Sequence, residues 1–220
     1  MTDLVTIRAL YSCQTPHLQA LLASAEYPWE LLLKIGPYIQ ALLEQGLAGF
    51  REHAPGVLVG EDVRIHPQAV ILGPAILGSG TELRPGAFLR GNVITGEGCV
   101  IGNSTEVKNA LLLDRAQAPH YNYVGDSILG SHAHMGAGAV CSNLKADGRP
   151  VVIRAGTGIA TGLRKVGAFL ADGADVGCGC VLNPGTVIGR GSRVYPLTAV
   201  RGVIPAGSIV KSMDRIVPLE

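Results

Sequence analysis

A repeat of six residues runs through most of this chain and constrains its fold more than any single motif. Aliphatic or near-aliphatic residues recur at every sixth position from Val59 to Leu113, and the pattern returns from Leu170 to Val200. An α-helix repeats about every 3.6 residues and a strand alternates about every two, so neither explains this period. The pattern predicts a solenoid in which each hexad forms one short strand and one turn. Three hexads, about 18 residues, would close one triangular coil that buries its aliphatic row on the next coil.

The composition fits such a coil. Thirty glycines and thirteen prolines suit tight corners at short intervals, and the 5% aromatic content suits a narrow interior. The formal net charge of +1 predicts neither nucleic acid nor a membrane surface as a partner. No apolar run approaches the length of a membrane span, and the N-terminus lacks a basic region followed by an apolar core, so a cytoplasmic location is expected.

The first residues of the chain, 1–56, have a different period and predict an α-helical cap on a solenoid domain of residues 57–210. Thr15 is expected to cap a helix that opens with Pro16, and a second helix is expected to end near Gly46. A cap would cover the strand edge that the terminal coil exposes. An oligomer contact or a substrate lid stays open as an alternative role. The last residues, 211–220, are expected to form a C-terminal tail.

Metal binding is not expected. Cys178 and Cys180 have ligand-like spacing, but they straddle an inward and an outward position and could hardly converge on one ion. His120, His132 and His134 invite comparison with a three-histidine zinc site, yet no two of them lie one coil apart.

The repeat fails from Pro119 to about Gly156, where a polar loop excursion is expected near residues 141–150. Irregular segments on a rigid scaffold are where sites tend to be built. Three segments bound this region: Glu106-Val107-Lys108-Asn109, Ala118-Pro119-His120-Tyr121-Asn122-Tyr123-Val124-Gly125-Asp126, and Met135-Gly136-Ala137-Gly138-Ala139.

In these segments the chain resembles the hexapeptide-repeat acyltransferases. The segments resemble the acetyltransferase half of the bifunctional N-acetylglucosamine-1-phosphate uridyltransferase/glucosamine-1-phosphate acetyltransferase family. The spacings from Glu106 and Lys108 to His120, and from His120 to Tyr123, agree with that family's pattern. The resemblance covers roughly residues 57–210 and implies a mainly β fold, a left-handed parallel β-helix. Uridylyl transfer is not expected, because no Gly-rich nucleotide loop precedes residue 57.

The resemblance also implies roles for individual residues. His120 would be the general base that takes a proton from the acceptor amine, with Asp126 or Glu106 orienting its ring. The implied acceptor-binding residues are Glu106, Lys108, Tyr123, His134 and Asn143. His134 stands where the family has an asparagine. The implied coenzyme A contacts are Ala137, Thr161 and, with a one-residue gap, Cys178.

A phosphate site is expected from the repeat itself. Arg90 and Lys108 each follow an inward aliphatic residue and lie one coil apart, so both should point outward and stack. Two cations at that spacing repel each other unless something negative sits between or beside them, and a sugar phosphate is a candidate. Arg84 belongs to the family's Arg-Pro-Gly-Ala motif, but one additional hexad moves it a third of a turn away. Arg90 therefore precedes Arg84 as the expected phosphate ligand.

These expectations define an acyl-CoA-dependent acyltransferase, with N-acetyl transfer to an amino-sugar phosphate or a nucleotide-linked amino sugar as the expected reaction. Acetyl-CoA, or another acyl-CoA, would be the co-substrate, and the family resemblance implies a homotrimer. Two alternatives stay open. One is a non-catalytic sugar-nucleotide-binding trimer that partners a separate sugar-phosphate nucleotidyltransferase, and the other is an O-acyltransferase that uses the same base on a hydroxyl group.

Overall fold

A computed structural model describes residues 2–219 and has the form of a β-solenoid of about nine turns. The predicted β-helix of hexapeptide repeats is therefore confirmed. Successive coils pair in parallel, with Leu89 opposite Val107 one coil later and Val107 opposite Val124 in the next. The coil length is 18 residues in the first step and 17 in the second, which explains why the six-residue pattern loses its phase before the site region.

Each coil contributes strands to three faces, here called face I, face II and face III in the order in which the site region meets them. The strands confined to face I are Val70–Leu72, Phe88–Arg90, Val140–Cys141, Val181–Leu182 and Ala199–Val200. Two longer strands, Glu106–Leu112 and Tyr123–Leu129, run from face I to face II. The other strands of face II are Val57–Val59, Ala75–Leu77, Val93–Thr95, Ala168–Leu170, Thr186–Ile188 and Val203–Ile204. Face III holds Arg64–Ile65, Glu82–Leu83, Val100–Asn103, Gln117–His120, His134–Met135, Asp175–Val176, Arg193–Val194 and Ser208–Ser212.

The interior is a column of aliphatic and small side chains. Leu83, Leu89, Ile101 and Val107 are fully buried, as the hexad pattern requires, and Cys99 also faces this core. Burial of each such aliphatic side chain contributes about 1.5–3 kcal/mol. The stacked core therefore fixes which residues of every coil must point outward.

The helices lie along face II rather than over the end of the solenoid, which corrects the expected cap. They are α1 (Ile7–Leu10), α2 (Pro16–Leu22), α3 (Pro28–Leu31) and α4 (Ile35–Gln45), preceded by a short 3₁₀ turn at Thr2–Val5. The reason is a second apolar row on the outer side of face II: Leu58, Ile76, Ile94, Leu111, Ile128, Phe169 and Val187. Covering this row removes far more apolar surface from water than covering one strand edge would.

One expected contact at the start of the helical segment is also different. α2 begins at Pro16 and includes Leu18, Leu21 and Leu22 as predicted, but the hydroxyl of Thr15 makes no capping hydrogen bond. It donates instead to Oδ1 of Asp114 at 2.7 Å, and so ties the helix to the solenoid.

Both ends of the solenoid and its excursion have more strand than predicted. Arg51–Ala54 pairs antiparallel with Val57–Val59, and the expected tail contains Arg215–Pro218, which pairs antiparallel with Ser208–Ser212. The excursion between faces I and II spans residues 142–167 rather than 141–150. It contains a hairpin of Val152–Ile153 with Ile159–Ala160, of which Ile153 and Ile159 pack into the core cluster under the helices.

Candidate active site

The predicted base and two of the predicted coenzyme A contacts lie along one edge of the solenoid, where face III turns into face I. The backbone N–H of Gly138 donates to the carbonyl of His120 at 3.0 Å, and that of Gly179 donates to the carbonyl of Ala137 at 2.8 Å. His120, Ala137 and Cys178 are therefore equivalent positions in successive coils. We call this line of residues the III–I edge.

The turn at the III–I edge requires a left-handed backbone. Gly138 and Gly179 supply it without cost, but the equivalent residues in two other coils are Tyr121, with φ 52°, and Leu197, with φ 59°. A large side chain in this conformation costs about 1–2 kcal/mol. Both side chains are nevertheless exposed, by 61% for Tyr121 and 85% for Leu197. In a single chain, Tyr121 and Leu197 on the III–I edge therefore combine a strained backbone with a solvent-exposed, largely apolar side chain.

The outer surface of face I, next to this edge, holds the predicted phosphate ligands. Arg90 and Lys108 point outward one coil apart, because Leu89 and Val107 pair inside. Each cation has its own carboxylate: Arg90 Nη1 lies 2.5 Å from Glu106 Oε1, and Lys108 Nζ lies 3.6 Å from Asp126 Oδ2. The negative groups that the stacked cations need are therefore supplied by the protein itself.

Asp126 is the centre of this surface and is only 4% exposed. Its carboxylate accepts hydrogen bonds from Asn109 Nδ2 at 2.9 Å and from Asn143 Nδ2 at 2.6 Å. Asn143 also donates to the hydroxyl of Tyr123 at 3.1 Å. Burial, with the nearby charges of Asp126 and Glu106, raises the pKa of Tyr123, so the phenol stays protonated at neutral pH and can donate a hydrogen bond. Asn109 was missed by the sequence analysis.

The imidazole of His120 is exposed and makes no hydrogen bond with any of residues 2–219. Asp126 and Glu106, the two carboxylates expected to orient it, are engaged with the amides and cations described above. The backbone of His120 is held instead by Asn122, whose Oδ1 accepts from the His120 N–H at 3.0 Å. Asn122 is 3% exposed and donates to the carbonyls of Gly136 and Ala139, so it locks this turn to the next coil.

Three predicted residues lie away from face I and the III–I edge. Arg84 pairs with Glu82 on face III at 3.0 Å. His134 is also on face III, where its Nδ1 lies 2.8 Å from Asp175 Oδ1. The hydroxyl of Thr161 is used inside the excursion, where it donates to the carbonyl of Val151 at 2.7 Å.

The described residues show neither a metal cluster nor a membrane-spanning helix. Among residues 2–219, no three His, Cys, Asp or Glu side chains are grouped so as to hold a metal ion. None of the helices in the part of the chain that the structure describes is long and apolar enough to cross a bilayer.

Comparison with known proteins gives the class of protein. A sequence-family model described as the GMPPB C-terminal domain matches residues 71–163. A bifunctional sugar-1-phosphate nucleotidylyltransferase/acetyltransferase from Sulfurisphaera tokodaii is 35% identical over 156 residues, which are 70% of this chain and 39% of that protein. The uncharacterized acetyltransferase YaiX from Escherichia coli is 32% identical over 158 residues, which are 71% of this chain and 69% of that protein. Among solved structures, a variant of AntD, an N-acyltransferase from Bacillus cereus in complex with dTDP and coenzyme A, has a TM-score of 0.46 and 18% identity, with 82% of this chain and 87% of that chain covered.

The fold and these sequence relationships define a hexapeptide-repeat protein, and this chain belongs to the hexapeptide-repeat acyltransferase family. It matches 39% of the length of the bifunctional relative and 69% of the length of YaiX.

Proposed function

We propose that this protein transfers an acyl group from acyl-CoA to the amine of an amino-sugar phosphate or a nucleotide-linked amino sugar, with His120 as general base. The observation that carries the proposal is the convergence on one face and its edge of a free imidazole, a buried carboxylate network and a protonated phenol. The relatives whose names include acetyltransferase activity support the same class of reaction.

The chemistry requires a base at the attacking amine. Imidazole suits this step near neutral pH, because it can accept the ammonium proton and later return it to the leaving thiolate. The nitrogen then attacks the thioester carbonyl, the C–N bond forms, and the C–S bond breaks to release coenzyme A. The His120 ring is exposed and has no hydrogen-bond partner among residues 2–219, so it is available for that proton.

Face I suits the acceptor. Lys108 and Arg90 are outward cations, and Tyr123 and Asn143 offer neutral hydrogen-bonding groups beside them. Because each cation already has a carboxylate, an acceptor phosphate would share or displace these pairs rather than fill an uncompensated site. The Arg90–Glu106 pair is largely exposed and is worth only about 0–1 kcal/mol, so its displacement costs little. The carboxylate of Asp126 is buried, so a phosphate would share Lys108 with it rather than displace it.

The III–I edge suits the acyl donor. His120, Ala137 and Cys178 follow one another at the spacing of neighbouring strands, about 4.8 Å, and so form a track parallel to the solenoid axis. An extended pantetheine arm could run along this track and present its thioester at His120. The backbone N–H of Ala137 and the thiol of Cys178 would then line its path.

We also propose that the protein is a homotrimer with this edge at the subunit boundary. The strained and exposed Tyr121 and Leu197 support it, because contact with another copy would bury them. Leu197→Ala should lower the mass measured by light scattering, while Leu33→Ala, which removes an exposed leucine from the helical segment, should not. A Leu197→Ala protein that keeps the wild-type mass would exclude this edge as the interface.

The direct test is turnover with acetyl-CoA and either glucosamine 1-phosphate or UDP-glucosamine, followed by mass spectrometry of the acylated sugar. His120→Ala should lower kcat by about 10²- to 10⁴-fold while leaving the Kd for coenzyme A within about twofold. His53→Ala, an exposed histidine on the first strand, is the matched control. If no amino-sugar acceptor is acylated, the proposal fails.

One observation favours a second candidate, a binding protein without catalysis. The residues that the structure describes offer no carboxylate to orient the imidazole of His120. A binding protein would hold the sugar nucleotide with unchanged affinity after His120→Ala and would show no turnover before it. The same pair of measurements therefore separates the two functions.

A further inference from the structure

The 142–167 excursion forms a cavity with the C-terminal coils that none of the roles above explains. The cavity has a volume of about 530 Å³ and lies where face I turns into face II. Its polar lining includes Ser142 and Asn183 from two neighbouring coils, Arg201 from the next coil, and Arg154 from the excursion.

The charges of this cavity differ from those around Lys108. Arg90 and Lys108 each have a carboxylate within 4 Å, whereas neither Arg154 nor Arg201 forms an ion pair or a side-chain hydrogen bond with any of residues 2–219. The other charged groups that line the cavity, Lys145 and Asp147, pair with each other at 3.3 Å. The cavity therefore carries two uncompensated guanidinium groups.

Two guanidinium groups facing one cavity favour an anion with several oxygen atoms. Arginine offers planar, fork-like donors that match phosphate oxygens, and hydrogen bonds to a charged group are stronger than neutral ones. The hydroxyl of Ser142 adds a neutral hydrogen-bonding group to the same lining, while the Nδ2 group of Asn183 donates to the carbonyl of Val200 at 2.9 Å. Both arginines are exposed, and an apolar or cationic ligand would gain nothing from their charge.

The position of the cavity restricts the ligand further. The coil of Arg201 lies three steps beyond that of His120, about 14 Å along the axis at about 4.8 Å per strand. In an amino-sugar phosphate the amine and the phosphate lie on the same sugar ring, so one molecule cannot reach both groups within one chain. A nucleotide is longer, and its phosphates can be remote from the reacting atom.

We propose that this cavity binds the phosphates of a nucleotide ligand through Arg154 and Arg201. The inference rests on the proposed function, because the nucleotide would be either coenzyme A or the nucleotide part of a sugar-linked acceptor. Both present a diphosphate, and coenzyme A has a third phosphate on its ribose. The excursion is then a binding element, since it alone supplies Arg154.

The test is calorimetric binding of coenzyme A, dephospho-CoA and UDP-glucosamine to the full chain and to Arg154→Gln, Arg201→Gln and the double variant. Each single variant should raise the Kd of at least one of the three probes about tenfold or more, and the double variant should raise the Kd of that probe further. Arg193→Gln, an exposed arginine on face III, controls for the change in net charge. Equal melting temperatures exclude a folding defect.

The pattern of losses identifies the source of the phosphate. Weaker binding of coenzyme A and of dephospho-CoA assigns the cavity to the diphosphate of the acyl donor. Weaker binding of coenzyme A alone assigns it to the ribose phosphate, and weaker binding of UDP-glucosamine alone assigns it to the acceptor. Kd values within twofold of the Arg193→Gln control for all three probes, or no binding of any probe, would overturn the inference.

This result is separable from the proposed function. A protein with arginine-dependent nucleotide binding but no acyl transfer would retain the cavity assignment and lose the enzymatic proposal. If the protein acylates amino sugars, and Arg154→Gln and Arg201→Gln keep the wild-type Kd for all three probes, the enzymatic proposal stands and the cavity assignment is lost.

Discussion

Asp126 joins the stability of this protein to its site, and its replacement gives the most informative single test. The carboxylate is 4% exposed, accepts from the amides of Asn109 and Asn143, and lies 3.6 Å from the ammonium group of Lys108. Asp126→Asn keeps the shape of the side chain and removes its charge. Asparagine also tolerates the left-handed φ of 48° at this position, so the backbone is not an additional source of strain.

The expected cost can be worked from these contacts. One oxygen becomes an NH₂ group, which must face an amide that is itself a donor, so one buried hydrogen bond to a charged group is lost at about 1.5–3 kcal/mol. The half-buried pair with Lys108 adds about 0–1 kcal/mol. The sum, about 1.5–4 kcal/mol, is a large part of the 5–15 kcal/mol free energy of unfolding of typical domains.

Urea unfolding followed by circular dichroism measures this loss. With a slope of about 2–3 kcal/mol per molar urea, the midpoint should fall by about 1 M. Asp175→Asn is the matched control, because the carboxylate of Asp175 is exposed and pairs with the exposed ring of His134, so the midpoint of this variant should move by less than about 0.3 M. Equal shifts in the two variants would refute the view that Asp126 organises a buried network.

The same variant has a kinetic signature. Loss of the carboxylate frees Lys108 and Asn143, so the KM for the acceptor should rise about tenfold while the KM for acetyl-CoA stays within about twofold. A fall in kcat with both KM values unchanged would indicate a loss of folded protein instead, and an equal rise in both KM values would contradict a role confined to the acceptor site.

Three further outcomes follow from the thiols and from the close packing of the coils. Cys178 is the exposed thiol among the five cysteines, so a disulfide reagent should modify one thiol quickly. Cys178→Ser should abolish this fast reaction. Saturating coenzyme A should slow the reaction of the wild-type protein if the acyl donor follows the III–I edge. Burial raises the pKa of the Cys99 and Cys141 thiols to about 12, whereas both thiols have a pKa near 9.0 in the unfolded chain. Their contribution to the free energy of unfolding is therefore fully present below about pH 9, and the urea midpoint should fall as the pH rises from about 9 towards 12. Gly102→Ala should lower the melting temperature by several degrees or prevent folding, because an added Cβ would lie 1.5 Å from the carbonyl oxygen of Pro119, and a change of less than one degree would contradict that packing.

Much of the fold and part of the site follow from periodicity alone. A hexad with an aliphatic residue at a fixed place determines which neighbours point outward and how far along the axis each lies. The inward direction of Leu89 and Val107, and hence the stacking of Arg90 and Lys108, is of this kind. Such a prediction needs no knowledge of distant residues, since each coil repeats the geometry of the previous one.

The contacts of residues outside the repeat could be identified only from the tertiary structure. The repeat says nothing about the excursion, so Arg154 gave no signal in the sequence, and only the folded chain brings it beside Arg201 across the cavity. The partner of Thr15 is similar, because Asp114 lies 99 residues away and competes with the helix for the same hydroxyl.

The amino-acid sequence by itself determined the solenoid, the direction of each side chain in it and the family pattern around His120. The tertiary structure decided where the helices pack, which carboxylate pairs with which cation, and where uncompensated charge remains. The physical reason is the range of the interactions. Local periodicity sets the direction of a side chain, whereas ion pairs and buried hydrogen bonds depend on contacts between segments that no short pattern connects.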